Sequence, residues 1–482
     1  MEDILNISTL SISEKPDTDT VDRLSSLPEH LISEILSKLP TDSAVATSIL
    51  SRHWRHQWTY ITRIFLSSLN ISNCDELHAF LTTVDNILRQ LNSPPSNLRT
   101  IYLNFKVPYP DDAFEDDIAY ELCCEFLPRW FHRLCTSHTQ LLKVFEFGAY
   151  LYIYIENAPL VFICSPEIES SPVVDTVFLP ECIFQNKTLV ELVLNTNFSF
   201  NLPNYLNLPN LNTLSVHIFE HDRQLMRTIF KSLPLLQNLT ISADLSGEDH
   251  LIDISAPNLK TFRIVFEGRD SQTNVLIDAP KLKRISISIR GGLVSFRFVK
   301  IPTDLLETSL SDWDSVGDDL AILELVKAIS NTRSLRLSCR ILNVLNSYNV
   351  DELPTFHNLV SLTLALSDAE DMNLVIPVWI LRRLKKIQVD GVIKGNEYDK
   401  EISLMEDILS KANVLERLIC VFNPNVEEPE MDSLKKQNDF VNALFMLPRV
   451  CSSCEIKFIG NFVRVSTNVA ESRSVTLSDL LD

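Results

Sequence analysis

The chain has 482 residues, 45% hydrophobic and 22% charged, which supplies apolar surface for an extended core and rules out a wholly disordered protein. A formal charge of −20 argues against a duplex-binding surface, which needs clustered Lys and Arg to displace counterions. No apolar stretch approaches the roughly 20 residues that span a bilayer, and nine glycines without a GxGxxG or P-loop pattern argue against nucleotide chemistry.

Residues 1–20 are rich in Ser, Thr and Asp and read as a disordered leader with no export signal. Ten cysteines are then too sparse for a disulfide scaffold, and the expected residence is cytoplasm, nucleus or both.

A compact helical module is expected over 21–60. Ser26 is placed to cap a first helix with Pro28 in its opening turn. Leu31, Ile32, Ile35, Leu36 and Leu39 recur at helical spacing, and Pro40 ends the helix. Thr41 or Asp42 can cap a second helix bearing Ala44, Val45, Ile49 and Leu50. Ser51 to Trp58 reads as the start of a third, with Trp54 and Trp58 on one face. Three helices this short cannot bury two Trp and so many aliphatics among themselves. The surplus covers either the next part of the chain or a partner.

Leu24, Leu27-Pro28, Ile35-Leu36, Leu39-Pro40, Val45, Ser48, Leu50-Ser51, Trp54-Arg55 and Trp58 resemble, in order, the F-box of plant F-box proteins. Arg52-His53 stands where many relatives carry two basic residues before the Trp, a conservative departure. The resemblance implies docking on a Skp-type adaptor and, through it, on cullin and RING subunits. It implies adaptor contacts from Leu24, Leu27, Pro28, Ile35, Leu36, Leu39, Pro40, Val45 and Leu50, with Trp54 and Trp58 anchoring the far end.

Beyond residue 60 a Leu-x-x-Leu-x-Leu template recurs. Residues 61–180 hold irregular copies at Leu98/Ile101/Leu103 and Leu142/Phe145/Phe147. Residues 181–400 hold regular ones, beginning at Leu189, Leu211, Leu236, Leu259 and Leu282, then at Leu359 and Leu384. Steps of 22, 25, 23 and 23 residues between the first five lie within the leucine-rich-repeat range. Weaker copies fill the gap before Leu359, at Leu305–Leu310 and Ser334–Leu337. The predicted architecture is α/β: a three-helix module followed by an irregular solenoid with a parallel sheet. Proline before Leu211, Leu259 and Leu282 marks a turn ahead of the strand, and only Asn197 occupies the usual repeat-asparagine place.

The stretch 401–465, with VLERLICVFNP and LPRVCSSCEIKFIG, resembles the FBD region of plant F-box/leucine-rich-repeat proteins and is read as last repeat plus cap. Residues 466–482 read as a disordered tail. Cys451-Ser-Ser-Cys454 has CxxC spacing but no second half, and His217/His221 and His132/Cys135/His138 lack a fourth ligand, so no metal and no cofactor is expected. No nucleophile elbow is present. The function implied is a non-catalytic substrate receptor of a Skp-cullin-F-box ubiquitin ligase that binds an unidentified target protein, with neither nucleic acid nor membrane as partner. A scaffold outside any ligase, or a small-ligand sensor, is the alternative.

Overall fold

A computed structural model describes residues 26–68, 71–91, 99–106, positions scattered over 122–133, 141–147, 176–177, 181–195, 199–200, 207–219, 233–246, 249–269, 272–311, 319–366, 376–393 without 377 and 382, 398–422, 430–461 and 463–467. The leader, Leu24, Asn197 and the tail beyond 467 lie outside them, as does the acidic run 111–117.

Alternating apolar residues place one strand in each repeat. Those of the large sheet are β1 Arg63–Ser68, β2 Thr100–Lys106, β3 Leu141–Phe147, β5 Glu191–Asn195, β7 Thr213–Phe219, β8 Asn238–Ser246, β10 Thr261–Arg269 and β12 Arg284–Arg290. They continue as β14 Glu307–Ser311, β15 Ser334–Ser338, β16 Ser361–Ala365, β17 Lys386–Val392, β18 Arg417–Phe422, β19 Glu455–Ile459 and β20 Arg464–Ser466. These 15 strands pair strictly in chain order. Every pairing is parallel except β19 with β20, where a short antiparallel strand covers the final edge. Two short strands, β4 Thr176–Val177 and β6 Ser199–Phe200, pair separately.

The return segments change along the array. Near the start, the helix Cys74–Gln90 runs back, its Asn73 side chain accepting from Glu76 N at 2.9 Å. In the middle the return is itself a strand: β9 His250–Ser255, β11 Gln272–Asp278 and β13 Leu293–Phe298 form a second, parallel sheet. Helices resume at Asp319–Ala328, Cys339–Ser347, Asp399–Lys411 and Glu430–Met446. Leucines, isoleucines and phenylalanines between the two layers make one continuous core.

Register supports the repeat spacing residue by residue. Leu192, Leu214, Leu239, Phe262 and Ile285 stand opposite one another on successive strands. The two weak copies occupy their rungs as β14 and β15, with Thr308 and Thr332 where other copies have leucine. Both threonines are fully buried, and Thr308 Oγ1 donates to Thr332 Oγ1 at 3.2 Å while Thr332 Oγ1 donates to Ser334 O at 3.0 Å, so both hydroxyl protons are satisfied inside the core.

One expected register is wrong. Leu142 pairs with Leu192 and Val144 with Leu194, where the template set Phe145 and Phe147 on those rungs. A three-residue shift reverses which residues share a face, because side chains alternate along a strand. The early array is also uneven: Arg63 pairs with Thr100, Thr100 with Leu141 and Leu141 with Glu191, giving steps of 37, 41 and 50 residues.

The prolines do as expected. In Leu208–Leu211, Leu233–Leu236, Ala256–Leu259 and Ala279–Leu282 the fourth N–H donates to the first carbonyl at 3.1–3.3 Å, with Pro second. Asparagine acts here rather than inside each repeat: Asn210 Nδ2 donates to Lys187 O at 2.7 Å and Asn258 Nδ2 to Pro234 O at 2.9 Å, tying each turn to its predecessor.

Candidate functional site

The N-terminal module is built on proline-led turns. Its first helix is Glu29–Leu36, preceded by Pro28, whose carbonyl accepts from Leu31 N and Ile32 N. The N-cap position is therefore Pro28, where the sequence set Ser26 as the cap and Pro28 in the first turn. The second is Thr41–Ala46, preceded in the same way by Pro40. Thr41 lies within that helix and is otherwise employed: its Oγ1 accepts from Phe65 N of β1 at 2.8 Å. The third segment, Trp54–Tyr60, is a 3₁₀ helix.

The apolar stripe of the first helix splits into two faces. Ile32 and Leu36 turn inward with Ala44, Trp54, Trp58 and Ile61 onto Ile64 of β1, and all seven are buried. Leu36, Trp54 and Trp58 were expected on a partner-facing surface; instead the chain's own core encloses them, at 1, 5 and 4% exposure. The physical reason is the module's size. Two indoles are its largest apolar groups, and the short helices have no other core to close around.

The opposite face stays open. Leu31, Ile35 and Leu39, four residues apart, are 38, 44 and 39% exposed, and Leu50 is 61% exposed. Pro28 and Pro40 are exposed, while Leu27 and Val45 are half-buried. Ile49, at 86% the most open aliphatic of the module, was missed as a site residue; the signal was its place four residues after Val45. Arg52, His53, Arg55 and His56 are exposed beside it in sequence.

One hydrogen bond closes the module and two clamp it to the array. Ser33 Oγ donates to Tyr60 O at 2.8 Å, Thr62 N donates to Ser37 Oγ at 2.9 Å, and Phe65 N donates to Thr41 Oγ1. The last satisfies an N–H of β1, the first strand of the large sheet. The module thus covers the start of the solenoid with one face and offers an apolar surface with another.

On the repeats, the CxxC pair forms a turn. Cys454 N donates to Cys451 O at 3.1 Å, the same kind of turn that Pro makes elsewhere before a strand. Burial first, then the neighbouring Cys451, pushes the Cys454 thiol up to about 11, so it stays protonated and unreactive. Among the described residues no group of three or more His, Cys, Asp or Glu is placed to hold a metal ion, and no helix is long and apolar enough to cross a membrane. Arg336 reaches over β16 to Asp390 at 2.7 Å, so it does not join Arg333 in a ligand pocket.

Comparison with known proteins agrees with this geometry. Residues 24–65 match the F-box domain family. An F-box/FBD/LRR-repeat protein of Arabidopsis thaliana is 24% identical over 90% of this chain and 96% of its own length. F-box/LRR-repeat protein 13 of the same plant is 25% identical over 91% of this chain and 96% of its own. An FBD-associated F-box protein, also from Arabidopsis thaliana, is 22% identical over 92% and 98% respectively.

Proposed function

We propose that this chain, an F-box domain joined to a leucine-rich-repeat array of the kind its plant homologues carry, is the substrate receptor of a Skp-cullin-F-box ubiquitin ligase. The observation that carries the reading is the unpartnered apolar face of Leu31, Ile35, Leu39, Ile49 and Leu50 on an F-box domain whose inner face is already filled. Exposed aliphatics concentrated on so small a module mark a protein-interaction site. The Skp-type adaptor packs there, with Leu27, Pro28, Pro40 and Val45 at the margin. Cullin and RING subunits follow through the adaptor, and the repeats hold the target.

The chain itself makes and breaks no bond in this reading. It raises the effective concentration of a target lysine near a ubiquitin-loaded enzyme, a gain from proximity and orientation. The C-terminal 401–465 region serves as the last repeats and cap.

The test is a pull-down of the full chain with a purified plant Skp-type adaptor, beside Ile35→Asp and Leu50→Asp. A carboxylate at the centre of an apolar interface costs several kcal/mol, so each variant is expected to lose at least a hundredfold in affinity with its thermal midpoint unchanged. Equal binding by wild type and both variants overturns the assignment of this face.

A further inference from the structure

The net charge of −20 hides a local reversal. The turns just before the strands β5 to β17 lie side by side along one rim of the array, each hydrogen-bonded to the one before. They carry Lys187, Lys260, Lys281, Lys283, Arg333 and Arg383, all exposed. Asp304 is the one carboxylate in these turns, and a seventh cation, Lys385, differs from the other six in pairing with Glu416 of the following turn at 2.8 Å. None of the six cations has a carboxylate partner among the described residues. Lys260 Nζ donates to the Gln237 amide oxygen at 2.7 Å, Lys281 Nζ to that of Asn258 at 2.8 Å and Arg383 to the His357 carbonyl at 3.3 Å. The sheet face behaves differently, since Arg284, Arg290, Arg336 and Arg417 each have an acid.

Midway along the rim is a cleft of about 290 Å³. Lys283 and Arg333 line it, flanking Leu306 on successive rungs, with Thr303, Asn331 and Asn358 supplying a hydroxyl and two amides. Two rungs separate the cations, about 10 Å at the usual strand spacing. From Lys260 to Lys385 the rim crosses five rungs, about 24 Å, the length of roughly seven extended residues.

We propose that this rim is a docking surface for an extended acidic segment of a protein, with one carboxylate seated in the cleft between Lys283 and Arg333. This deepens the reading of the repeats as the target-binding part and rests on it. Charge complementarity selects the occupant: a single line of cations with amide and hydroxyl donors fits a short run of Asp or Glu. A long polyanion would meet the negative remainder of the chain. Asp304 at the cleft favours a segment that alternates acids with hydrogen-bond donors over one of unbroken charge.

The experiment is fluorescence anisotropy of the full chain with a labelled (Glu-Ser)₄ peptide, in low salt and at 0.15 M salt. The arms are wild type, Lys283→Glu/Arg333→Glu, and wild type with a labelled single-stranded oligonucleotide of eight nucleotides. The expected result is saturable peptide binding that weakens with salt, falls at least tenfold in the double variant, and exceeds oligonucleotide binding. Because both side chains are exposed, the thermal midpoint is expected to hold, and adaptor pull-down by the double variant is expected to match wild type. No peptide binding by wild type, equal peptide binding by the variant, or tighter binding of the oligonucleotide overturns the proposal. Loss of adaptor binding by wild type would instead count against the ligase reading alone.

Discussion

At the residue scale, the polar groups inside the core show how the array tolerates departures from its template. Thr308 and Thr332 replace two leucines on adjacent rungs, Thr308 donating to Thr332 and Thr332 to Ser334 O. Thr332→Val leaves the Thr308 hydroxyl buried without that acceptor and is expected to cost about 1–3 kcal/mol, whereas Thr308→Val/Thr332→Val recovers part of it. Urea midpoints of Thr308→Val, Thr332→Val and the double variant check this as a double-mutant cycle. Cys454 gives a pH dependence. Its folded pKa is raised from 9.0 to about 11, so the folded state holds its proton more tightly than the unfolded one. The stabilisation is full below pH 9 and is lost as pH rises from 9 towards 11. Native-state alkylation at pH 8 is accordingly expected to label the half-buried Cys451 and spare Cys454. Gly460 is a steric case, since a Cβ there would sit 2.8 Å from Phe458 Cε1 and against the buried Gln437 side chain. Gly460→Ala is expected to loosen the C-terminal cap, read as a lower thermal midpoint.

At the element scale, most of the array was legible because its two signals are local. Aliphatic spacing marks the strand, and Pro two residues before the first leucine marks the turn ahead of Leu211, Leu259 and Leu282, so the core positions of β5, β7, β8, β10 and β12 were legible. What was not legible had physical causes. In the sequence LLKVFEF of β3, apolar residues occur on both alternations, and only pairing with β2 and β5 selects Leu142 and Val144. The switch of return segment from helix to strand at β9, β11 and β13 carries a signal that was missed: Gly247, Gly268 and the pair Gly291-Gly292, the pair at positive φ, precede the three strands. In the N-terminal module four of the five stripe aliphatics are helical, the helix ending at Leu36 rather than at Pro40 with Leu39 in the turn that follows, and the stripe's division into inner and outer halves depends on where the two indoles settle. Trp54→Ala now predicts a folding defect first. Removing a buried indole costs about 3–5 kcal/mol, and the measured loss of adaptor binding is expected to track the loss of helical circular dichroism in residues 26–68.

At the scale of the whole molecule, the ends are treated differently from the middle. Interior repeats are interchangeable in pairing pattern, each touching its two neighbours, and the ends need covers of distinct kinds. The helical module supplies one through Thr41 and Phe65, and the antiparallel β20 supplies the other. The amphipathic helix Asp399–Lys411 and the ring cluster of Tyr398, Phe440 and Phe458, edge-on and tilted in turn, brace that second cover. Removing residues 430–482 bares the full edge of β18, and size-exclusion chromatography of the truncated chain is expected to show higher oligomers. The rim chemistry was invisible in the sequence because its cations, apart from the neighbours Lys281 and Lys283 and likewise Arg383 and Lys385, are some 20 or more residues apart and come into line only through the ladder.

The strict chain-order pairing of the large sheet has a metrical consequence. Fifteen strands in sequence set 14 steps, each about 4.8 Å, so the array is a ruler about 67 Å along its curve. Its zero mark is pinned to the F-box by the clamp at β1. Anything held at a given rung sits at a countable distance from whatever the F-box grips. Gain or loss of one repeat would shift that distance by a whole step and turn the cargo by one increment of twist. The reach of such a molecule is therefore quantised, and evolution can retune it by counting repeats without redesigning either end.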